Sequence, residues 1–186
     1  MSVIFAVCPW IVYAIVSSFT SVAVASLVSG AAALILIGLR IARGGRPAEM
    51  TIDIASAVFF IAIAVCAAAT GSDLVGRYIG AASELWLALV VAIGLALSRP
   101  FTEPIASREV PPELHGTDAF RKFNVKITKA WLGSFLAAGL LILVSIAILG
   151  PEGRFATYVL IPISILVPVR YTAYLAGKER LDAVPA

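Results

Sequence analysis

Residues 1–39 contain no charged side chain, and the first charge in the chain is Arg40. A bilayer core takes about 20 apolar residues to cross as a helix. An uncharged run of this length therefore predicts two membrane helices, with a tight turn at Ser17-Ser18-Phe19-Thr20. A secretory leader is the competing reading. No Lys or Arg precedes the run, however, and it is much longer than the short apolar region of a leader. Only the small-residue text AVASLVSGA at 23–31 favours cleavage.

The rest of the chain repeats the pattern. Apolar runs occupy 54–72, 78–98 (interrupted by Glu84), 130–150 and 155–169. The chain is 61% hydrophobic and 13% charged, with a mean hydropathy of +1.01. Soluble domains lie nearer half apolar and a quarter charged. The expectation is an all-α integral membrane bundle forming a single domain over 1–186. It has six helices, at about 2–17, 20–40, 51–71, 77–98, 117–149 and 155–176, arranged as three hairpins. A loop over 99–117 joins the fourth to the fifth.

Local signals place the ends. Gly44-Gly45 followed by Pro47 stops the second helix, Thr51 is read as the N-cap of the third with Asp53 in its first turn, and Arg99-Pro100 follows the fourth. Lys and Arg distribute unevenly among the connections. Arg40, Arg43, Arg46, Arg99, Arg108, Arg121, Lys122, Lys126, Lys129, Arg170, Lys178 and Arg180 fall on one side, and only Arg77 and Arg154 on the other. Positive residues mark the cytoplasmic face, so both termini are expected there. The net charge of +3 is explained by topology and calls for no nucleic acid. The texts IGLRIAR (37–43) and IGLALSR (93–99) share IGLxxxR, which reads either as a trace of parallel repeats or as shared helix-ending composition.

Glu84 is the one carboxylate well inside a span, and intramembrane acids are functional candidates. Counted from Arg77 at ~1.5 Å per residue, it lies roughly 10 Å into the outer leaflet. A functional acid and a snorkelling or packing group near Arg77 are both open readings. Asp53 and Arg170 share the inner depth, which predicts a salt bridge between them, fixing helix packing or forming a binding site. Pro9, Pro162 and Pro168 interrupt helical hydrogen bonding. Gly76xxxGly80 and Ser26xxxGly30 suit close helix contact, and Trp10, Trp86 and Trp131 suit packing or interface anchoring. Cys8 and Cys66 lie inside apolar runs with no metal or redox spacing. His115 is the single histidine and falls in a loop, which leaves no histidine cluster. No nucleophile motif, Gly-rich phosphate loop or acidic metal cluster is present. No cofactor is expected, and an enzyme is the least supported class.

The longest polar passage, SREVPPELHGTDAFRKFN at 107–124, leads into the fifth helix. Phe101, Ile105 and Leu114 are placed on the membrane surface beside Arg99 and Arg108. From Thr117 onward Phe120, Phe123 or Asn124, Ile127 and Trp131 share one helical face, while Arg121, Lys122, Lys126 and Lys129 occupy the others. Such a basic amphipathic stretch suits anionic headgroups of the cytoplasmic leaflet. Arg99, Arg108, Arg121, Lys122 and Lys126 form the candidate lipid or partner surface. The lipid bilayer is the expected partner, and a second membrane protein or a second copy of the chain remains open.

Several of these residues, in this order, carry a family resemblance. They are Phe5-Ala6-Val7-Cys8-Pro9-Trp10, the basic turn from Arg43 to Met50, Arg99-Pro100-Phe101, Val110-Pro111-Pro112-Glu113, Phe120-Arg121-Lys122-Phe123-Asn124, and Trp131 to Phe135. Over most of 1–150 the chain resembles the intracellular septation protein A family of bacterial inner-membrane proteins and its uncharacterised actinobacterial-type relatives. It departs in the longer gap between Asn124 and Trp131, and in a short outer turn at 72–77 where the family has a lysine-rich loop. The resemblance implies a multi-pass protein of the bacterial inner (plasma) membrane linked to envelope biogenesis, septation and membrane integrity, with no established reaction or catalytic residues. The first functional expectation is a non-enzymatic envelope protein acting through lipid or protein contacts. The second is a small ion or proton channel, or a small-solute transporter, with a path between the hairpins.

Overall fold

The computed structural model describes residues 2–108 and 110–182. Among them there is no strand. The helices are α1 (Ser2–Val16), α2 (Val22–Ala42), α3 (Thr51–Thr70), α4 (Ser72–Ala96), the short α5 (Glu103–Ala106), α6 (Asp118–Leu149) and α7 (Thr157–Asp182). Four stretches are long and apolar enough to cross a membrane: Val22–Ala42, Thr51–Thr70, Asp73–Ala96 and Asp118–Lys178. The last holds both α6 and α7, divided by a 3-10 segment at Gly150–Ala156. Long apolar helices of this kind suit a multi-pass membrane protein.

Burial follows the logic of lipid as solvent. The buried residues of α2 are Ala25, Ser26, Ser29, Gly30 and Ala33, while Leu27, Leu34 and Ile35 of the same helix are exposed. Across the bundle, Ile15, Val65, Ile148, Val159 and Leu166 also face outward. Small residues let backbones approach, and large aliphatics cover the outside, the distribution expected of helices packed in hydrocarbon. Gly30 shows the approach directly: a Cβ there would come within 3.2 Å of Ile61 on α3. On α4, a Cβ at Gly80 would overlap the side chain of Thr157 on α7, and one at Gly76 would lie 3.1 Å from Val22 on α2.

Chain-consecutive long helices pack on one another throughout. The most extensive pairs are α2 with α3 and α4 with α6, each joined on the Arg-rich side. Two indoles add polar ties in the first half. Trp10 Nε1 donates to Ser56 Oγ (3.0 Å), and Trp86 Nε1 donates to the Ala55 carbonyl (2.9 Å), so α1 and α4 are both fastened to α3. Trp10, Phe59 and Phe60 stack around them.

Three expectations about boundaries change. Gly71, at φ +97°, alone ends α3 and begins α4, so α4 opens at Ser72 rather than Arg77. Met50 takes the cap position before α3, and Thr51 is the first helical residue. The two IGLxxxR texts do not close alike in register. The left-handed residue after α2 is Gly44, with Gly45 N–H donating to the Arg40 carbonyl (2.9 Å); after α4 it is Ser98, with Arg99 N–H donating to the Gly94 carbonyl (2.8 Å). Superposing the two texts leaves these closures two positions apart, which favours shared helix-ending chemistry over a repeat.

Candidate functional site

Two polar loci stand out, one inside the bundle and one at its Arg-rich end. The inner one is built by α4, α6 and α7. Glu84 lies twelve residues from either end of α4, about 18 Å along the axis at 1.5 Å per residue, and is 2% exposed. The expected position near the outer leaflet rested on a helix beginning at Arg77, and the earlier start moves the carboxylate to mid-helix. Glu84 forms no ion pair with Arg77, and its Oε2 has no hydrogen-bond partner among the described residues.

On α7, Pro168 has no N–H to offer the Ser164 carbonyl four residues earlier. Ser134 of α6 fills that vacancy, donating from Oγ at 2.9 Å. Neighbouring helices and hydroxyls commonly satisfy a proline-freed carbonyl in this way. The Ser164 hydroxyl donates to the Ile161 carbonyl (2.8 Å) and lies beside the Glu84 carboxyl. α6 can come this close because position 139 is glycine: a Cβ there would meet Leu85 at 2.8 Å and the Glu84 Cβ at 3.2 Å. Sequence reasoning singled out Glu84 and Pro168 but missed Ser134 and Ser164. The i−4 position of Pro168 was the signal that could have found Ser164.

At the Arg-rich end, Asp53 pairs with Arg40, not with Arg170. Arg40 comes from the last turn of α2 and Asp53 from the first turn of α3, so a short connection brings them together at one depth. Arg40 also donates to the Glu49 carbonyl (3.3 Å), and the Glu49 carboxylate pairs with Arg108. Arg170 lies exposed on α7. Behind the ion pairs, Thr102 Oγ1 donates to the Asn124 carbonyl (3.1 Å) and shares a hydrogen bond with Thr128 Oγ1 (2.8 Å). The fully buried Asn124 donates from Nδ2 to the Phe120 carbonyl (2.9 Å) and leaves Oδ1 without a partner.

The basic lead-in to α6 has the amphipathic form read from the sequence. Phe120, Asn124, Ile127 and Thr128 are buried, while Arg121, Lys122, Lys126 and Lys129 are exposed. Thr117 caps the helix, accepting from Phe120 N–H (3.3 Å). Arg99 is exposed nearby, and Arg121 reaches the Ser98 carbonyl (3.3 Å). Phe101 turns inward instead of lying on the membrane surface, meeting Trp131 edge-on at 6.0 Å. His115 stacks on Phe120 at 6.0 Å and bonds the Val110 carbonyl (3.1 Å) in an exposed loop.

Compared with protein-family models, with curated proteins and with solved structures, the chain matches none.

Proposed function

We propose that this chain is a six-span, non-enzymatic protein of the bacterial inner membrane, with both termini in the cytoplasm. In this reading it supports the cell envelope through lipid or protein contacts, in keeping with its resemblance to the septation protein A family. One observation carries the proposal. α6 is 32 residues long, about 48 Å at 1.5 Å per residue, against a hydrocarbon core of about 30 Å. The excess of about 18 Å matches its first twelve residues, which carry Arg121, Lys122, Lys126 and Lys129 on exposed faces. A rigid basic helix rising from the bilayer can hold anionic headgroups or an acidic partner.

The test is reversal of three of these charges, Arg121→Glu, Lys122→Glu and Lys126→Glu, in one variant. All three side chains are exposed, so the purified variant should unfold at the wild-type temperature. Cells carrying it as the sole copy should lose envelope integrity. An intact envelope in those cells counts heavily against the proposal.

Glu84 favours a second reading, a small ion or proton channel or small-solute transporter. A carboxyl buried at mid-helix, packed beside the proline-containing α7, is costly inside a membrane and marks a functional candidate. In liposomes, Glu84→Gln should change proton or ion flux. A wild-type protein that passes no ion under any gradient removes this reading.

A further inference from the structure

Among the described residues Glu84 forms no ion pair. The 3-10 segment at Gly150–Ala156 packs on α4 and carries Glu152 and Arg154, with the Arg154 guanidinium over the Phe155 ring. α4 carries no other ionisable side chain between Tyr78 and its end at Ala96. α6 carries none from 130 to Leu149, where it packs on α4, and α7 carries none between Tyr158 and Arg170, on either side of Ser164. α3, the remaining helix packed extensively on α4, offers only Asp53 at its start and Cys66. α2 offers none between Val22 and Arg40. A bare carboxylate at this depth would be an unpaired charge in a medium that cannot solvate it.

The hydrogen bonds narrow what neutralises the carboxylate. The one proton of the Ser164 hydroxyl goes to the Ile161 carbonyl. The hydroxyl is thereby engaged with its own helix, and Glu84 Oε2 is left without any partner among the described residues. A buried carboxyl in that position is held far more cheaply as the neutral acid than as the anion. An alkali-metal ion would need several oxygens around it. Of the carbonyls nearby, those of Ser164 and Ile161 each already accept one hydrogen bond and keep one lone pair apiece, so the sodium dependence of the site decides between the two ions.

We propose that Glu84 is a proton-binding site at the junction of α4, α6 and α7. The proposal deepens the transport reading, naming the proton as the transported or coupling ion. It rests on that reading only for what the proton does next.

Infrared spectra of the full chain in bilayers test it. The wild type minus Glu84→Gln difference should show one carboxylic-acid carbonyl band at pH 7, lost as pH rises and indifferent to replacing sodium by choline. Should Glu84→Gln fail to fold, dicyclohexylcarbodiimide provides the second measurement on the wild type. Its N=C=N group takes up a carboxylic acid and rearranges to a stable N-acylurea, and the expected adduct lies on the peptide holding Glu84. A spectrum with only carboxylate bands at pH 7, together with no adduct, overturns the site. An acid band that appears only without sodium overturns the proton in favour of an alkali-metal ion. Both signals without proton flux in liposomes support the site and remove the transport reading.

Discussion

Asp53→Ala is expected to lower the unfolding free energy by about 3–5 kcal/mol, the range for removing one partner of a buried ion pair. The Asp53 side chain is 5% exposed and that of Arg40 14%. Without the carboxylate, the Arg40 guanidinium keeps only the Glu49 carbonyl and must remain nearly buried with its charge uncompensated. The companion variant Asp53→Ala/Arg40→Met removes both charges and should regain most of the loss, because an apolar pair of similar volume has no unmet charge. Arg170→Ala, on an exposed face, should change little. Denaturant unfolding in micelles reads all three. A loss under about 1 kcal/mol for Asp53→Ala would mean that water reaches the pair and screens it as it does a surface bridge. The Glu49–Arg108 pair, 29% and 46% exposed, is already in that regime.

The same pair shows how much was legible. Depth alone selected Arg170 as the partner of Asp53, since both lie at the Arg-rich end. Depth selects Arg40 equally well, and chain proximity breaks the tie: elements joined by a short connection are usually neighbours. The all-helical class and the amphipathic start of α6 follow from hydrophobic runs and periodicity, which dominate in a chain this apolar. The position of Glu84 did not follow, because the polar text from Ser72 to Arg77 resembles a loop, yet Gly71 alone makes the turn. Ser134 was illegible for a different reason. Its role depends on which helix faces the Pro168 break, and that is a property of packing between elements about 30 residues apart, which a local pattern does not encode.

Gly153→Ala should be the most damaging single-methyl change in the second half of the bundle. The chain leaves α6 at Leu149 and turns through Gly150–Ala156 before α7 begins. Within that turn Gly153 is buried against the end of α6 itself: a Cβ would overlap the Ser145 carbonyl and crowd the Ile146 amide. These are backbone atoms, which cannot rotate away as a side chain can. The turn must therefore lift off α6, with a cost at the upper end of the ~1–3 kcal/mol range for overpacking, or above it. Lifting the turn also shifts α7 along α6, and the Ser134 hydroxyl then loses the Ser164 carbonyl that Pro168 leaves free. Gly150→Ala provides the contrast. It meets nothing within 4 Å, but its backbone at φ +65°, ψ −144° lies in a region essentially confined to glycine, so its cost of about 1–3 kcal/mol comes from backbone strain alone. Thermal unfolding in detergent ranks the two. If Gly153→Ala costs under about 1 kcal/mol, the turn does not sit against α6, and α7 is not held in the register that brings Ser164 to Glu84.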